Sequence, residues 1–473
     1  MFPGLSQSGA CRRRLHRGFS ALREQHFFGR KGLQNCPGVT KSVDGMHHEQ
    51  VQGDGRMHNT LVVGAACSTI FSGKNLHRVL SPGLQFEEEA MAQLAQGLPS
   101  QCLSVHTSAG IPPALDGFIG AIERHLPWEF HGIGSEDWMV SLQIEGASAV
   151  LAACDLLLQL QQIRGRTKGT KVAVGEVSYH GPQSSTFGSG YPLKSQKPRH
   201  QIAFPVPSLF ARHENESEGI FHQRILEEYD SFLDEHAEDI GVLLVEPQWG
   251  SSVAAMPWPP GVLQEYIHRA QNHGILVCCD EIMCGLSRHG QGPSMFASSY
   301  QTWNLQPDAV TFGKAIGGGV YPLSGVILRE GAKEFKRDGL SVMQMHTYSG
   351  ASTRALMAGQ ATLELLPDWF DHVAAMGHVL DDVFGEISDA SNGVLATHGQ
   401  GMMWGGLFTF KALEKRTLAS SIFHRHCRDV LPYFVPAGGF MITPPLDTGE
   451  SDIREAGRRL RNAVEATVKE LNK

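Results

Sequence analysis

Short apolar segments of strand length alternate with helical patterns from Met91 onward. This alternation predicts a mostly parallel β-sheet covered by helices, because parallel strands need a long crossover between them. The predicted strands are residues 138–142, 171–177, 240–245, 275–279, 308–312 and 325–328. Helices are predicted over residues 147–164 and 260–273, and the second begins with proline and ends before Gly274. These elements favour one large α/β domain.

The chain after Tyr348 follows a different pattern. Residues 351–366 form a predicted helix rich in small residues, and predicted strands follow at 402–410, 433–435 and 439–443. A last helix is predicted over residues 451–471, because apolar residues repeat on one of its faces. We therefore expect a smaller C-terminal α+β domain at residues 346–473, preceded by an N-terminal segment and the large domain at residues 57–345.

The composition is that of an ordinary soluble globular protein, with 41% hydrophobic and 19% charged residues in a chain of 473. The net charge of −8 argues against nucleic acid as a partner. No apolar run predicts a membrane span. The nine cysteines lack C-x-x-C spacing and the 23 histidines lack ligand spacing, so we expect reduced thiols and no metal site.

The first 23 residues contain no Asp or Glu, whereas they contain five arginines. An acid-poor, arginine-rich start is typical of an organelle transit peptide, and a basic tail without function is the alternative. We therefore expect residues 1–56 to be a disordered targeting segment outside the fold. The expected compartment is the mitochondrial matrix, with plastid or cytoplasm as alternatives.

Four predicted strands end in residues that could bind a ligand, and open α/β sheets bind ligands at these strand ends. The apolar strand 275–279 leads into Asp280, and a buried carboxylate there needs a cationic or N–H partner. Strand 240–245 ends in Glu246, and strand 171–177 leads to Tyr179 and His180. The fourth leads to small residues at the start of a helix, where free N–H groups can bind an anion.

Lys314 is the only lysine or arginine between Arg288 and Arg329, and it lies between an apolar strand and three glycines. Burial there would favour the neutral amine that Schiff-base chemistry needs. A structural lysine at a strand end is the alternative. A lysine, an acid, an aromatic ring and an anion site together indicate pyridoxal phosphate better than any other cofactor.

Six motifs occur in the order of a known family. They are YHG from Tyr179, VEPQWG from Val245, CDEIMCGLSRHG from Cys279, PDAVTFGKAIGGGVYPLSG from Pro307, HTYSG from His346 and GFMITPPL from Gly439. On these motifs the chain resembles the class-III pyridoxal-phosphate aminotransferases of fold type I, with some features of glutamate-1-semialdehyde aminomutase. The resemblance implies a large, mostly parallel α/β domain, a smaller α+β domain and a homodimer with shared active sites.

The resemblance also implies roles for individual residues. Lys314 would form the Schiff base and transfer protons, and Asp280 would pair with the pyridine nitrogen. The other cofactor-binding positions that it implies are Tyr179 and Ile282 on the two ring faces, Gly146 and Ala147 at the phosphate, and Thr347 at the phosphate of the neighbouring subunit. The implied reaction moves an amino group between an amine or amino acid and a keto or aldehyde acceptor.

The sequence departs from the family at four positions. Glu145 replaces the serine before the phosphate-binding glycine, where a carboxylate would repel a phosphate, and Met283 replaces a glutamine. Met441 stands where many members have an arginine that binds the substrate's α-carboxylate, and Ser251 stands where they have a glutamate that pairs with this arginine when the site is empty. We therefore expect glutamate and 2-oxoglutarate to be poor substrates.

Three functions remain open at this stage. They are a transaminase, a pyridoxal-phosphate aminomutase and a catalytically idle binding or structural subunit. The presence of both Lys314 and Asp280 argues against the idle protein, because a buried ion set is costly to keep.

Overall fold

The computed structural model describes residues 38–43, 47–52, 57–63, 69–99, 103, 112–126, 138–181, 200–290, 292–299, 305–331, 334–335 and 351–473. Thr347, an expected phosphate contact, lies outside the described residues, and so does the expected domain boundary after residue 345.

The strands are β1 (Gly38–Val43), β2 (His47–Gln52), β3 (Met57–Val62), β4 (Met139–Gln143), β5 (Lys171–Gly175), β6 (Gln201–Phe204), β7 (Ile240–Val245), β8 (Leu276–Asp280), β9 (Ala309–Phe312), β10 (Ser324–Leu328), β11 (Leu395–Gln400), β12 (Met403–Phe408), β13 (Val430–Leu431), β14 (Tyr433–Val435) and β15 (Gly439–Ile442). The α-helices are Gly73–Ala95, Pro113–Glu123, Gly146–Ile163, Glu218–His236, Val262–Asn272, Thr353–Leu365, Phe370–Ala390, Leu413–His426 and Glu450–Leu471.

A seven-stranded sheet forms the centre of the large domain, in the order β4-β10-β9-β8-β7-β5-β6. β10 is antiparallel to both of its neighbours, and the other neighbouring strands pair in parallel. All six residues of β7 are buried, as expected for a strand covered on both faces. The predicted α/β fold with a mostly parallel sheet is therefore confirmed.

Helix Gly146–Ile163 packs against the central sheet and begins at the edge where the parallel strands end. Among the described residues, it is the one helix long and apolar enough to cross a membrane, although no such run was expected from the sequence. Half of its apolar window is buried inside the protein, and its inward residues include Val150, Cys154 and Leu157. This pattern is that of a core helix in a large α/β domain.

The C-terminal part contains an antiparallel sheet in the order β11-β12-β15-β14. One face of this sheet carries Phe440, which stacks on Phe423 at a centroid distance of 4.5 Å. Because side chains alternate along a strand, Met441 lies on the opposite face, beside its cross-strand partners Gly405 and Tyr433. That face is turned towards the large domain, because a Cβ on Gly405 would contact the Ala254 carbonyl oxygen.

A third sheet pairs three N-terminal strands with one strand from the C-terminal part of the chain, in the order β1-β2-β3-β13. The structure differs here from the expectation that residues 1–56 lie outside the fold, because Gly38–Val43 and His47–Gln52 are strands. β13 pairs in parallel with β3. The polar strands β1 and β2 form by antiparallel pairing of consecutive segments, β1 with β2 and β2 with β3, without a detectable apolar periodicity in the sequence.

Candidate active site

Asp280 lies at the carboxyl end of β8 and is 6% exposed. Its Oδ1 accepts hydrogen bonds from Thr311 Oγ1 at 3.0 Å and from the Ile282 backbone N–H at 3.2 Å, and its Oδ2 lies 2.7 Å from His180 Nδ1. Burial raises the pKa of this carboxyl, but His180 and then the Lys314 ammonium outweigh burial and hold the pKa below its usual value. Asp280 is therefore a buried and ionised acid.

His180 is the residue whose role the sequence did not predict. It is 2% exposed and follows β5, the second strand from β8 in the sheet. Its Nε2 has no hydrogen-bond partner among the described residues. The YHG motif placed a histidine at this strand end but did not indicate that its ring contacts Asp280.

Lys314 follows β9, at the edge of the sheet that also carries Asp280. It begins the short 3-10 helix Lys314–Gly317 with a φ of 50°, a left-handed conformation that is strained for a lysine. The side chain is exposed, so the prediction of a desolvated amine is wrong for the described chain. The physical reason is that this turn follows the end of the strand and carries the side chain beyond the packed core.

Ile282 and Tyr179 lie on the two loops that follow β8 and β5. Ile282 packs against Gly146, where an added Cβ would lie 2.9 Å from Ile282 Cδ1, and against Gly313. Tyr179 is 44% exposed. Burial of its phenol raises the pKa of Tyr179, and nearby Tyr433, Glu145, Asp280 and Glu246 raise it further. The family resemblance implies that the cofactor ring lies between Tyr179 and Ile282, and this expected position is called the ring slot below.

The N-terminus of helix Gly146–Ile163 offers backbone N–H groups for an anion. Backbone N–H groups in the first turn of a helix lack intrahelical acceptors, and here these include Gly146 and Ala147. Glu145 is the N-cap residue, and its exposed side chain makes no capping hydrogen bond. The backbone therefore suits a phosphate, while the Glu145 carboxylate opposes one.

Two further carboxyls are buried around the site. Glu246 accepts hydrogen bonds from the backbone N–H groups of Tyr179 and Gly250. Glu281 accepts from the N–H groups of Ala297 and Ser298 and from the Ser298 hydroxyl. Burial raises the pKa of each carboxyl to about 7. Glu246 was noted in the sequence as a strand-end acid, whereas neither its partners nor those of Glu281 were predicted.

Met441 and Ser251, which replace the arginine and the glutamate of many family members, lie at the junction of the two domains. Met441 is fully buried on the face of β15 that is turned towards Ala254. Ser251 belongs to the same loop as Ala254, which follows β7. Neither side chain carries charge.

The residues present fit pyridoxal phosphate. The site combines an ionised acid that suits a protonated ring nitrogen with an amine at the same edge of the sheet. It also contains Tyr179 and Ile282 as candidate ring contacts and a helix N-terminus that suits the phosphate. Because Gly146 has no side chain, Ile282 can pack directly against its backbone. The Cβ of any larger residue at position 146 would occupy that space.

Comparisons with known proteins identify the family of the chain. Residues 126–458 match the model of the aminotransferase class-III family. The uncharacterized aminotransferase YodT of Bacillus subtilis is 25% identical over 72% of this chain and 80% of its own length. The glutamate-1-semialdehyde 2,1-aminomutase of Haloquadratum walsbyi is 29% identical over 51% of this chain and 50% of its own length. The chain thus spans about half of the aminomutase.

Solved transaminase structures share the fold. The omega-transferase from Vibrio fluvialis JS17 superposes with a TM-score of 0.75 at 17% identity, covering 92% of this chain and 100% of that one. The omega transaminase from Pseudomonas jessenii in complex with PMP gives 0.75 at 17% identity, with 94% and 96% covered. Because the family model covers most of the sequence, this chain belongs to the class-III aminotransferases, enzymes that transfer amino groups with pyridoxal phosphate.

Proposed function

We propose that the protein transfers an amino group from an amine that carries no carboxylate on its reacting carbon to a keto or aldehyde acceptor. The observation that carries this proposal is the pair Met441 and Ser251, two uncharged side chains at the domain junction. A bidentate arginine is the usual partner of a substrate carboxylate, and neither position supplies one.

Each residue of the site has a separate role in the reaction. Pyridoxal phosphate, when bound, supplies an aldehyde that condenses with amines and a ring that withdraws electrons. Lys314 Nζ accepts the proton from the substrate carbon and returns it as general acid. Asp280, whose two carboxylate oxygens contact His180 and Thr311, would accept a hydrogen bond from the protonated ring nitrogen of the bound cofactor.

A half-reaction screen tests the substrate class. Each candidate amine is added to the holoenzyme, and the conversion of the cofactor to its amine form is followed by visible absorbance. We expect amines that lack an α-carboxylate, or that carry a carboxylate away from the reacting carbon, to react faster than glutamate. Rapid and saturable conversion by glutamate would overturn the proposal.

A double variant that restores the arginine and glutamate of other family members provides a second test of the substrate class. Met441→Arg combined with Ser251→Glu introduces a cation together with its counter-ion, which avoids a buried unpaired charge. We expect the double variant to gain reaction with glutamate. Met441→Leu, which changes shape without charge, is the matched control and should not gain it.

An aminomutase is the second candidate, favoured by the aminomutase relative from Haloquadratum walsbyi. An aminomutase moves the amino group within one molecule and needs no external acceptor. Turnover of a single amino aldehyde, without any keto acid or second amine, would favour this reaction over amino transfer.

We also propose a homodimer. Helix Gly73–Ala95 packs one face against Thr353–Leu365 and leaves apolar side chains exposed elsewhere. Leu84, Met91 and Leu94, spaced by seven and three residues, are exposed by 43%, 54% and 47%. Such a stripe on a helix favours burial against a second copy. We expect a dimer by light scattering and a shift towards monomer in Met91→Glu/Leu94→Glu; a fully active wild-type monomer would contradict it.

We further propose mitochondrial import directed by the arginine-rich first 23 residues. The experiment is to determine the N-terminus of the protein recovered from cells. We expect processing near Phe19 and Ser20, and recovery with Met1 intact would contradict import with cleavage.

A further inference from the structure

Two loops form the walls of the ring slot, and one direct side-chain contact joins them. His180, which follows Tyr179, contacts Asp280, which lies two residues before Ile282. The Nδ1 to Oδ2 distance is 2.7 Å, and both side chains are buried. This contact fixes the two loops at the end of the slot where the acid lies.

A second connection runs through Glu246, which the proposed chemistry does not use. Its Oε1 accepts from the Tyr179 backbone N–H at 3.1 Å, and its Oε2 accepts from the Gly250 backbone N–H at 2.9 Å. The residue is 5% exposed, so water does not compete for these acceptors. One carboxylate thus holds the wall that carries Tyr179 and the turn that carries Gly250.

The turn at Gly250 touches the opposite wall. A Cβ on Gly250 would contact the sulfur of Met283, which directly follows Ile282 and is 8% exposed. The connection therefore runs from Tyr179 through the Glu246 carboxylate and Gly250 to Met283 and Ile282. It joins the two loops independently of the contact between His180 and Asp280.

We propose that Glu246 is a positioning residue that fixes the separation of Tyr179 and Ile282, and thereby the fit of the cofactor ring between them. The inference rests on the proposed function, because it requires that ring to lie in the slot. A carboxylate suits the role because each of its two oxygens accepts one N–H. An amide of the same shape turns an NH2 donor towards one of the two N–H groups.

Binding of pyridoxamine 5'-phosphate to the apoprotein tests this without turnover, because the amine form of the cofactor is held without a covalent bond. The titration follows tryptophan fluorescence. At pH 8, above the pKa of about 7 that burial gives Glu246, we expect Glu246→Gln to weaken binding about tenfold, the effect of losing one hydrogen bond to a charged acceptor. Equal affinity in wild type and Glu246→Gln would overturn the inference alone, whereas a wild-type apoprotein that does not bind would overturn the proposed function as well.

Glu281→Gln is the matched control. Glu281 is as buried as Glu246 and also accepts two backbone N–H bonds, but from Ala297 and Ser298 rather than from the slot walls. We expect both variants to unfold at lower temperature than the wild type, and only Glu246→Gln to bind pyridoxamine 5'-phosphate more weakly. Equal weakening in both variants would show a general loss of stability and would overturn the positioning role.

A double-mutant cycle tests the connection itself. Gly250→Ala adds a methyl group against Met283 and 3.2 Å from Glu246 Oε2. The added methyl group displaces the turn that carries Gly250. If Glu246 transmits this displacement to Tyr179, Gly250→Ala should weaken pyridoxamine 5'-phosphate binding when Glu246 is present and should have a smaller effect in the Glu246→Gln background. Additive effects of the two substitutions would mean that Glu246 does not couple the two walls.

Discussion

His180 Nδ1 lies 2.7 Å from Asp280 Oδ2, with the two side chains 0% and 6% exposed. An ionised carboxylate only accepts hydrogen bonds, so the proton is on Nδ1. This contact is the first of the interactions that offset the cost of burying the Asp280 charge, ahead of Lys314 and the Ile282 N–H. The histidine therefore acts on the chemistry through the acid that it holds.

Replacement of His180 should shift the pH dependence of turnover. Because His180 lowers the pKa of Asp280, His180→Leu should raise that pKa and move the acid limb of the kcat profile to higher pH. We expect kcat to fall about tenfold near neutral pH. His180→Asn, which can keep an N–H donor near the carboxylate, should recover part of the loss. An acid limb at the wild-type pH in His180→Leu would contradict this role.

Lys314→Ala should abolish turnover and leave the cofactor bound only without a covalent bond, because both Schiff-base formation and proton transfer need its amine. Borohydride reduction followed by peptide mapping identifies the attached residue in the wild type. Lys314→Arg keeps the positive charge but not the nucleophile, and should be equally inactive. A cofactor-bearing peptide without Lys314 would disprove the assignment.

The central strands were predictable from sequence because burial on both faces gives continuous apolar runs. The predicted strand 240–245 coincides with β7, and the predicted strand 275–279 differs from β8 by one residue at each end. β6 was not predicted, since its four residues pair at the edge of the sheet. β1 and β2 were missed because their pattern is polar, with no apolar alternation to mark a buried face, although each pairs with its neighbour in the sequence.

Motif order was sufficient to nominate Asp280, Lys314 and Tyr179 as residues of one site. The sequence could not predict the contacts that support them, because these join distant parts of the chain. His180 and Asp280 are separated by 100 positions, and Tyr179 and Glu246 by 67. The exposure of Lys314 was also unpredictable, because it depends on a left-handed backbone that the sequence does not indicate.

Asp280→Asn should lower the rate by several orders of magnitude while weakening pyridoxamine 5'-phosphate binding much less. An amide cannot stabilise a proton on the ring nitrogen as an ionised carboxylate does, but it keeps the shape of the side chain. Stopped-flow absorbance of the half-reaction and a binding titration measure the two effects separately. Turnover close to that of the wild type would mean that Asp280 is only structural.

Glu281 should make the stability of the protein depend on pH in a defined direction. Burial raises the pKa of its carboxyl from 4.5 to about 7, although the Ser298 hydroxyl and two N–H groups oppose that rise. Between pH 4.5 and 7 the folded state therefore holds this proton more tightly than the unfolded state. The stability that the group contributes is fully present below about pH 4.5 and is lost as the pH rises to about 7.

Glu281→Gln removes this titration, so its free energy of unfolding should fall less steeply than that of the wild type between pH 5 and 7. The largest difference in slope for one proton is about 1.4 kcal/mol per pH unit. Denaturant titrations at several pH values measure it. Ser298→Ala is the control: it removes a hydrogen-bond donor that lowers the pKa but keeps the carboxyl, so the slope should persist and extend to higher pH. Equal slopes in wild type and Glu281→Gln would mean that the three donors outweigh burial and that the carboxyl is already ionised at pH 5.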